Sequence, residues 1–315
     1  MLKRKLQFNL LVILGILFVY LQSGYTNNQG FLPVGIEGKV NHYTGFSLQY
    51  SEKYEQALWV AYDLTKEEVL NKVTKRTDDF RIDPTIVTGS ATLADYKGSG
   101  YDRGHLAPAA DMGWSYRSMS ESFLLSNMSP QKPSFNRGIW KKLEEQVRSW
   151  AIIKNKVYVI TGPIFYEIDD GIGLNHVDIP DAYFKIIFDY SGYYKKIIAF
   201  ILQHEGPKNP LSKFQRPVDD IEKLTGLDFF SNLEDTLEEK LESSITLFDW
   251  KYIKAKREYK QTYNNEPNNK STGSGLYWIT NSSKKRHNSK CRWFKKSKGK
   301  LGQATEGIPC KICGG

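Results

Sequence analysis

All three cysteines of this 315-residue chain, Cys291, Cys310 and Cys313, fall within its last 25 residues. The body before them has no disulfide to lean on and must hold together through a hydrophobic core. It has the material for one: 40% of residues are apolar and 13% aromatic, which suits one large globular domain or two. The formal net charge of +9 is less general than it looks. Lys284 to Lys300 carries nine Lys or Arg and no acid, and the rest of the chain balances at 35 basic against 35 acidic residues. Attraction for a polyanion therefore belongs first to that tail.

At the other end, Lys3, Arg4 and Lys5 precede a 14-residue apolar run from Phe8 to Leu21, followed by Ser23, Gly24 and a polar stretch. That order predicts a secretory signal peptide over residues 1–25, because the run falls short of the roughly 20 residues that span a bilayer comfortably. An uncleaved anchor that associates the protein with a membrane is the rival reading, since no small-x-small cleavage site follows. A buried helix would need a polar face. The body is expected outside the cytoplasm, secreted, periplasmic or held at the outer face of the inner membrane.

Between residues 26 and 255 the pattern mixes strands and helices. "FSLQY" and "ALWVAY" read as strands, "TKEEVLNKV" as a helix, and "FRIDPTIVTGSATLADYKGSG" as loop. "KVYVITGPIF" predicts a strand, and "YFKIIFDY" with "YKKIIAFILQ" a hairpin around Ser191 and Gly192. An acidic amphipathic helix is expected over Ile221 to Leu241. Residues 256–275 are polar and Asn-rich and read as a linker. The final segment, 276–315, is too short to form a core unaided.

The clearest helix is "SFNRGIWKKLEEQVRSWAI", where Ile139, Leu143, Val147 and Trp150 make one apolar stripe. On a regular pitch Asn136, Glu144 and Arg148 fall at about 0°, 80° and 120°, along the border of that stripe. Asn and Glu offer hard oxygens suited to magnesium, and Arg can hold a phosphate oxygen. A solvated helix face with incidental charges would look the same. Upstream, "SGYDRGHLAPAADM" spans Ser99 to Met112 and puts Arg103 two residues from His105, on one face if the stretch is a strand. A neutral imidazole can take a proton from water at ambient pH, although a lone His is commonly structural.

Taken together, "DRGH" at Asp102–His105, "SNMSPQ" at Ser126–Gln131 and "FNRGIWKKLE" at Phe135–Glu144 resemble the DNA/RNA non-specific endonuclease family. The resemblance runs from about Gly38 to Asp249. It implies an α+β fold of the ββα-metal nuclease type, with a central antiparallel sheet flanked by helices. It further implies a magnesium- or manganese-dependent phosphodiesterase that cuts DNA and RNA to 5′-phosphate products. Carried position by position, His105 matches the general base, and Asn136 the one direct protein ligand of the metal. Glu144 matches the carboxylate holding the metal's water, Arg103 and Arg148 the contacts to the scissile phosphate, and Asn127 a residue supporting the site. Asp102 is assigned to orienting its loop. Lys132, Arg137, Lys141 and Lys142 crowd the same region and can steer a polyanion. An inhibitor protein is a further candidate partner. A scaffold that binds nucleic acid without cutting is the alternative, but such a chain is expected to lose the base or the metal ligand, and His105 and Asn136 are both present.

In the tail, His287, Cys291, Cys310 and Cys313 are spaced H-x3-C-x18-C-x2-C, which suits a small zinc-binding module. Oxidation of Cys310 with Cys313 is the competing outcome outside the cell. Trp293 and Phe294 sit within the basic run, where charge and stacking can hold nucleic acid.

Overall fold

The apolar runs of the body pair into one antiparallel sheet. In chain order the strands are β1 (Val40–His42), β2 (Ser47–Ser51), β3 (Gln56–Thr65), β4 (Asp102–His105), β5 (Met128–Gln131), β6 (Lys156–Ile164), β7 (Ala182–Asp189) and β8 (Lys196–Gln203). Six of them form a sheet in the order β1-β2-β3-β6-β7-β8, and β4 pairs with β5 separately. The hairpin expected at Ser191 and Gly192 is β7–β8, with Asp189 opposite Lys196 and Ala182 opposite Gln203.

The computed structural model describes residues 29–166, 171–245, 250–252, 277–287, 298–302 and 308–309. These residues fall into two compact units divided between Ala255 and Lys256. The leader, the polar linker and the three cysteines of the zinc reading lie outside the described residues. Among the described residues no helix is long and apolar enough to cross a membrane.

Both faces of the large sheet are covered. Val60, Tyr62, Leu64, Val157, Val159, Tyr183 and Phe200 point into one core, and Trp59, Ala61, Tyr158, Ile160, Phe184 and Ile186 into the other. Successive side chains of a strand alternate faces, so strands buried on both sides show no polar alternation and read as unbroken apolar runs.

Strands β3 and β6 are neighbours in the sheet but far apart in sequence. Thr65 pairs with Lys156, and the Lys66 N–H donates to the Asn155 carbonyl at 2.8 Å. Residues 66–155 thus leave the sheet and return at one point, and every site candidate of the body lies in this excursion. It opens with α1 (Lys66–Leu70), whose Thr65 cap and Glu68 form a reciprocal capping box. It continues through the β4–β5 pair, then a single helical turn at Pro133–Phe135, a wide π turn at Asn136–Trp140 and the long helix α2 (Lys141–Lys154). Two paired strands followed by a helix is the ββα order that the sequence resemblance implies. The stripe Ile139, Leu143, Val147 and Trp150 is buried against the first core.

Two expectations need correction. The helix is not regular from Asn136 onward: Gly138 sits at φ −102°, ψ −109°, outside helical geometry. A π turn inserts extra backbone into the pitch, so the angular arc assigned to Asn136, Glu144 and Arg148 holds only for the last two. The acidic segment forms two helices, α3 (Val218–Thr225) and α4 (Asp235–Glu242), rather than one. Gly226 ends α3 at φ 70°, with its N–H on the Glu222 carbonyl, the left-handed stop that glycine supplies most readily.

The C-terminal unit contains β9 (Tyr277–Thr280), β10 (Lys285–His287), β11 (Gly299–Gly302) and β12 (Ile308–Pro309), in the order β11-β9-β10-β12. His287 is buried there.

Candidate active site

The β4–β5 pair brings Gly104 opposite Ser129 and His105 opposite Met128. Gly104 leaves room for the Gln131 side chain, which a Cβ there would meet at 2.2 Å. Asn127, fully buried, pins the chain just beyond His105. Its Oδ1 accepts from the Ala107 N–H at 2.9 Å, and its Nδ2 donates to the carbonyls of Ala107 at 3.0 Å and Ser122 at 2.8 Å. The Asn127 carbonyl accepts from the Leu106 N–H at 3.0 Å. With all its amide atoms spent on backbone, Asn127 positions the site.

His105 is 9% exposed and stands edge-on to Phe80 and Phe123, at 5.7 and 4.9 Å between ring centroids. The same two rings carry cations: Arg103 lies over Phe80 at 4.1 Å, and Arg76 over Phe123 at 4.7 Å. Burial, then Arg76 and Arg103, push the imidazole down to about 3, against a backbone hydrogen bond to Arg103 that favours the charged ring. The ring is therefore neutral at ordinary pH. Its Nε2 is sealed from solvent without a hydrogen-bond partner. A buried polar atom with no partner among the described residues is costly. Arg76 escaped the sequence reading, since it lies among ordinary charges in "KVTKRTDDF".

Asn136 is oriented by Asp102. Its Nδ2 donates to Asp102 Oδ2 at 2.9 Å, and Arg137 donates to both oxygens of the same carboxylate at 2.9 and 2.5 Å. A carboxylate only accepts, so the amide nitrogen of Asn136 must face it and the carbonyl oxygen must turn away. Asp102 thus joins the strand that carries His105 to the turn that carries Asn136.

Glu144 and Arg148 stand one turn apart on α2. Arg148 Nη1 donates to Asp111 Oδ1 at 2.7 Å, and fully buried Asp111 also accepts from Tyr62 Oη at 2.9 Å. Glu144 is half-buried and makes no hydrogen bond among the described residues. Burial pushes it up to about 7, opposed by Arg148 and Lys185 and reinforced by Asp111. Lys185 of β7 is fully buried, 4.5 Å from the Trp140 ring centroid, with no hydrogen-bond partner for Nζ; burial lowers it to about 8. The sequence reading set Arg148 on a phosphate; the structure engages one of its nitrogens inward on Asp111. Asp111 and Lys185 were both missed. A single Lys inside the apolar run "YFKIIFDY" was the available signal for the second.

The body of the chain is similar to known nucleases. The family model described as DNA/RNA non-specific endonuclease matches residues 23–236. Mitochondrial endonuclease G of Homo sapiens is 36% identical over 202 residues, 60% of this chain and 68% of its own length. Nuclease C1 of Cunninghamella echinulata var. echinulata is 34% identical over 227 residues, 66% of this chain and 90% of its own. The crystal structure of the EndoG/EndoGI complex, solved to explain EndoG inhibition, superposes with a TM-score of 0.59 at 29% identity, covering 65% of this chain and 90% of that one. The matched span contains the central sheet and the whole excursion between β3 and β6, so this chain belongs to the DNA/RNA non-specific endonuclease family and is a nuclease, a hydrolase of phosphodiester bonds.

Proposed function

We propose that the chain is an exported, magnesium-dependent endonuclease that cuts both DNA and RNA, with His105 as general base and Asn136 as the direct metal ligand. The observation that carries the reading is the His105 ring, fixed between Phe80 and Phe123 and held neutral by burial and by Arg76 and Arg103. A neutral imidazole keeps a lone pair on one ring nitrogen, and that lone pair receives the proton of the attacking water. Phe80 and Phe123 hold the ring in one orientation. A phosphate laid against Arg103 and Arg76 neutralises the two cations that depress the imidazole, so substrate binding itself raises the basicity of His105.

The donor set fits a hard divalent cation. The Asn136 carbonyl oxygen is turned away from Asp102, and the Glu144 carboxylate has no hydrogen bond among the described residues; a ligand amide with a carboxylate beyond it suits magnesium, which retains most of its water. When bound, the cation supplies positive charge to the phosphorane and the leaving oxygen. Glu144 would hold the ion's water shell, and Arg148 and Lys185 offset its charge. Arg103 contacts the scissile phosphate, with the second donor of Arg148 on its far side. Exposed Lys132, Lys141 and Lys142 draw the polyanion in. Contacts to phosphate carry no base identity, which accounts for indifference to sequence.

The apolar run Phe8–Leu21 supports export, and the likeness to an inhibited EndoG supports an inhibitor protein as a partner. The test is cleavage of plasmid DNA and of RNA by purified protein, with magnesium and with chelator. Both substrates should fall to 5′-phosphate fragments only with the metal. Undiminished turnover in chelator, or in His105→Ala, would overturn the reading.

A further inference from the structure

The layer behind the sheet carries a concentration of negative charge that its own residues do not balance. From Val218 to Glu242 nine acidic residues stand against two basic ones. Three of them converge. Asp219 and Glu222 lie one turn apart on α3, Glu242 is the last residue of α4, and one carboxylate oxygen from each lies within 4.8 Å of the others.

Glu242 is the informative member. It is 6% exposed, and its Oε1 is shut off from solvent with no hydrogen-bond partner among the described residues. The charged groups that act on it are Glu222, Glu238, Asp219 and Asp228, all carboxylates; together with burial they push it up to about 9. A buried carboxylate among like charges is unfavourable unless it keeps a proton or shares a cation. Glu222 is fixed in place, since its Oε1 accepts from the Phe229 N–H at 2.9 Å. Carboxylates around calcium sit at roughly 2.4 Å from the ion, so ligand atoms of one shell lie within about 4.8 Å of each other. This trio meets that condition with nothing moved.

We propose that Asp219, Glu222 and Glu242 bind a divalent cation of calcium's size, which staples α3 to α4. Three carboxylates spaced up to 4.8 Å apart suit calcium's longer bonds and loose coordination better than magnesium's strict octahedron. The site is separate from the active centre: Val218 and Ile221 pack into the core on the sheet face opposite the one that holds Leu143 and Val147. Its role is to stabilise the outer layer, and it takes no part in the chemistry.

The experiment uses the full chain with calcium chloride as probe, in wild type and in Asn136→Ala, which lacks the proposed active-site ligand. Wild type and Asn136→Ala should both gain about 5 °C in Tm at calcium around a hundredfold above its Kd, with one ion bound by calorimetry. Glu242→Gln should lose the gain while still cleaving DNA. Asp219→Asn, altered at a half-exposed position in the first turn of α3, decides the matter if Glu242→Gln does not fold. No calcium-dependent shift in wild type overturns the proposal, leaving a proton on Glu242 as the means of relief. So does a shift that survives both Glu242→Gln and Asp219→Asn. Because Asn136 bears only on the active centre, failure there leaves this result readable.

Discussion

Asp102 holds Asn136 by a 2.9 Å hydrogen bond and, through the same carboxylate, pairs with Arg137. One acid therefore decides which end of the Asn136 amide faces outward. Asp102→Asn can present its own amide nitrogen to Asn136 and let that side chain flip. Loss of such an orienting group costs about 10- to 100-fold in metal affinity. The Arg137 side chain is 72% exposed, so fold stability should change by no more than about 1 kcal/mol. A magnesium titration of cleavage, read beside a melting curve, checks both halves; an unshifted titration would remove Asp102 from the site.

His105 should betray itself in acid. Its folded-state pKa lies near 3, below the ordinary 6.5, so the unfolded chain binds the extra proton between those values and stability falls as pH drops through that window. The loss is on the order of 4 kcal/mol over the window. His105→Gln should flatten the acid limb of a stability-against-pH curve while cutting kcat by about 10²- to 10⁴-fold. Identical acid limbs in the two proteins would mean that the ring is not held neutral by its surroundings.

Arg148→Met should be among the most disruptive changes on α2. It leaves Asp111 fully buried with Tyr62 as its remaining hydrogen-bond donor, and an uncompensated buried charge typically costs about 3–5 kcal/mol. Denaturant unfolding gives the number. Paired replacement with Asp111→Asn should recover part of it, and strictly additive losses would show that the two side chains do not work as a unit.

Gly104→Ala should destabilise by about 1–3 kcal/mol through overpacking against Gln131. Gln131→Ala in the same chain vacates the space and should restore most of the loss in Tm. Equal melting of the single and double variants would place the cause elsewhere.

What the sequence reveals depends on how local the cause is. The hairpin at Ser191 and the stripe from Ile139 to Trp150 were legible because burial imposes their periodicity directly. The π turn was not: "NRGIW" has helix-compatible composition, and what makes the turn is the φ/ψ of Gly138, which no pattern records. The break between α3 and α4 was readable in the Thr225–Gly226 stop but was passed over in favour of a continuous acidic face. Short motifs single out His105 and Asn136 as candidates. Asp111 lies inside the quoted stretch Ser99–Met112 yet carries no motif of its own, and Arg76 and Lys185 come from separate segments that only tertiary packing brings near His105 and Glu144. For Asn127 the sequence offers no hint of its backbone partners, Ala107 and Ser122, because folding alone brings those segments together.

The return of the chain to its starting point between Thr65 and Lys156 has a bearing on synthesis. A growing chain cannot close this ring until residues beyond 156 have left the ribosome, and closing a loop of that length is slow compared with forming any helix inside it. Until β6 arrives, the core that buries the apolar stripe of α2 lacks Val157 and Val159. A nascent chain short of that point therefore carries α2 without the β6 part of the surface that packs against it.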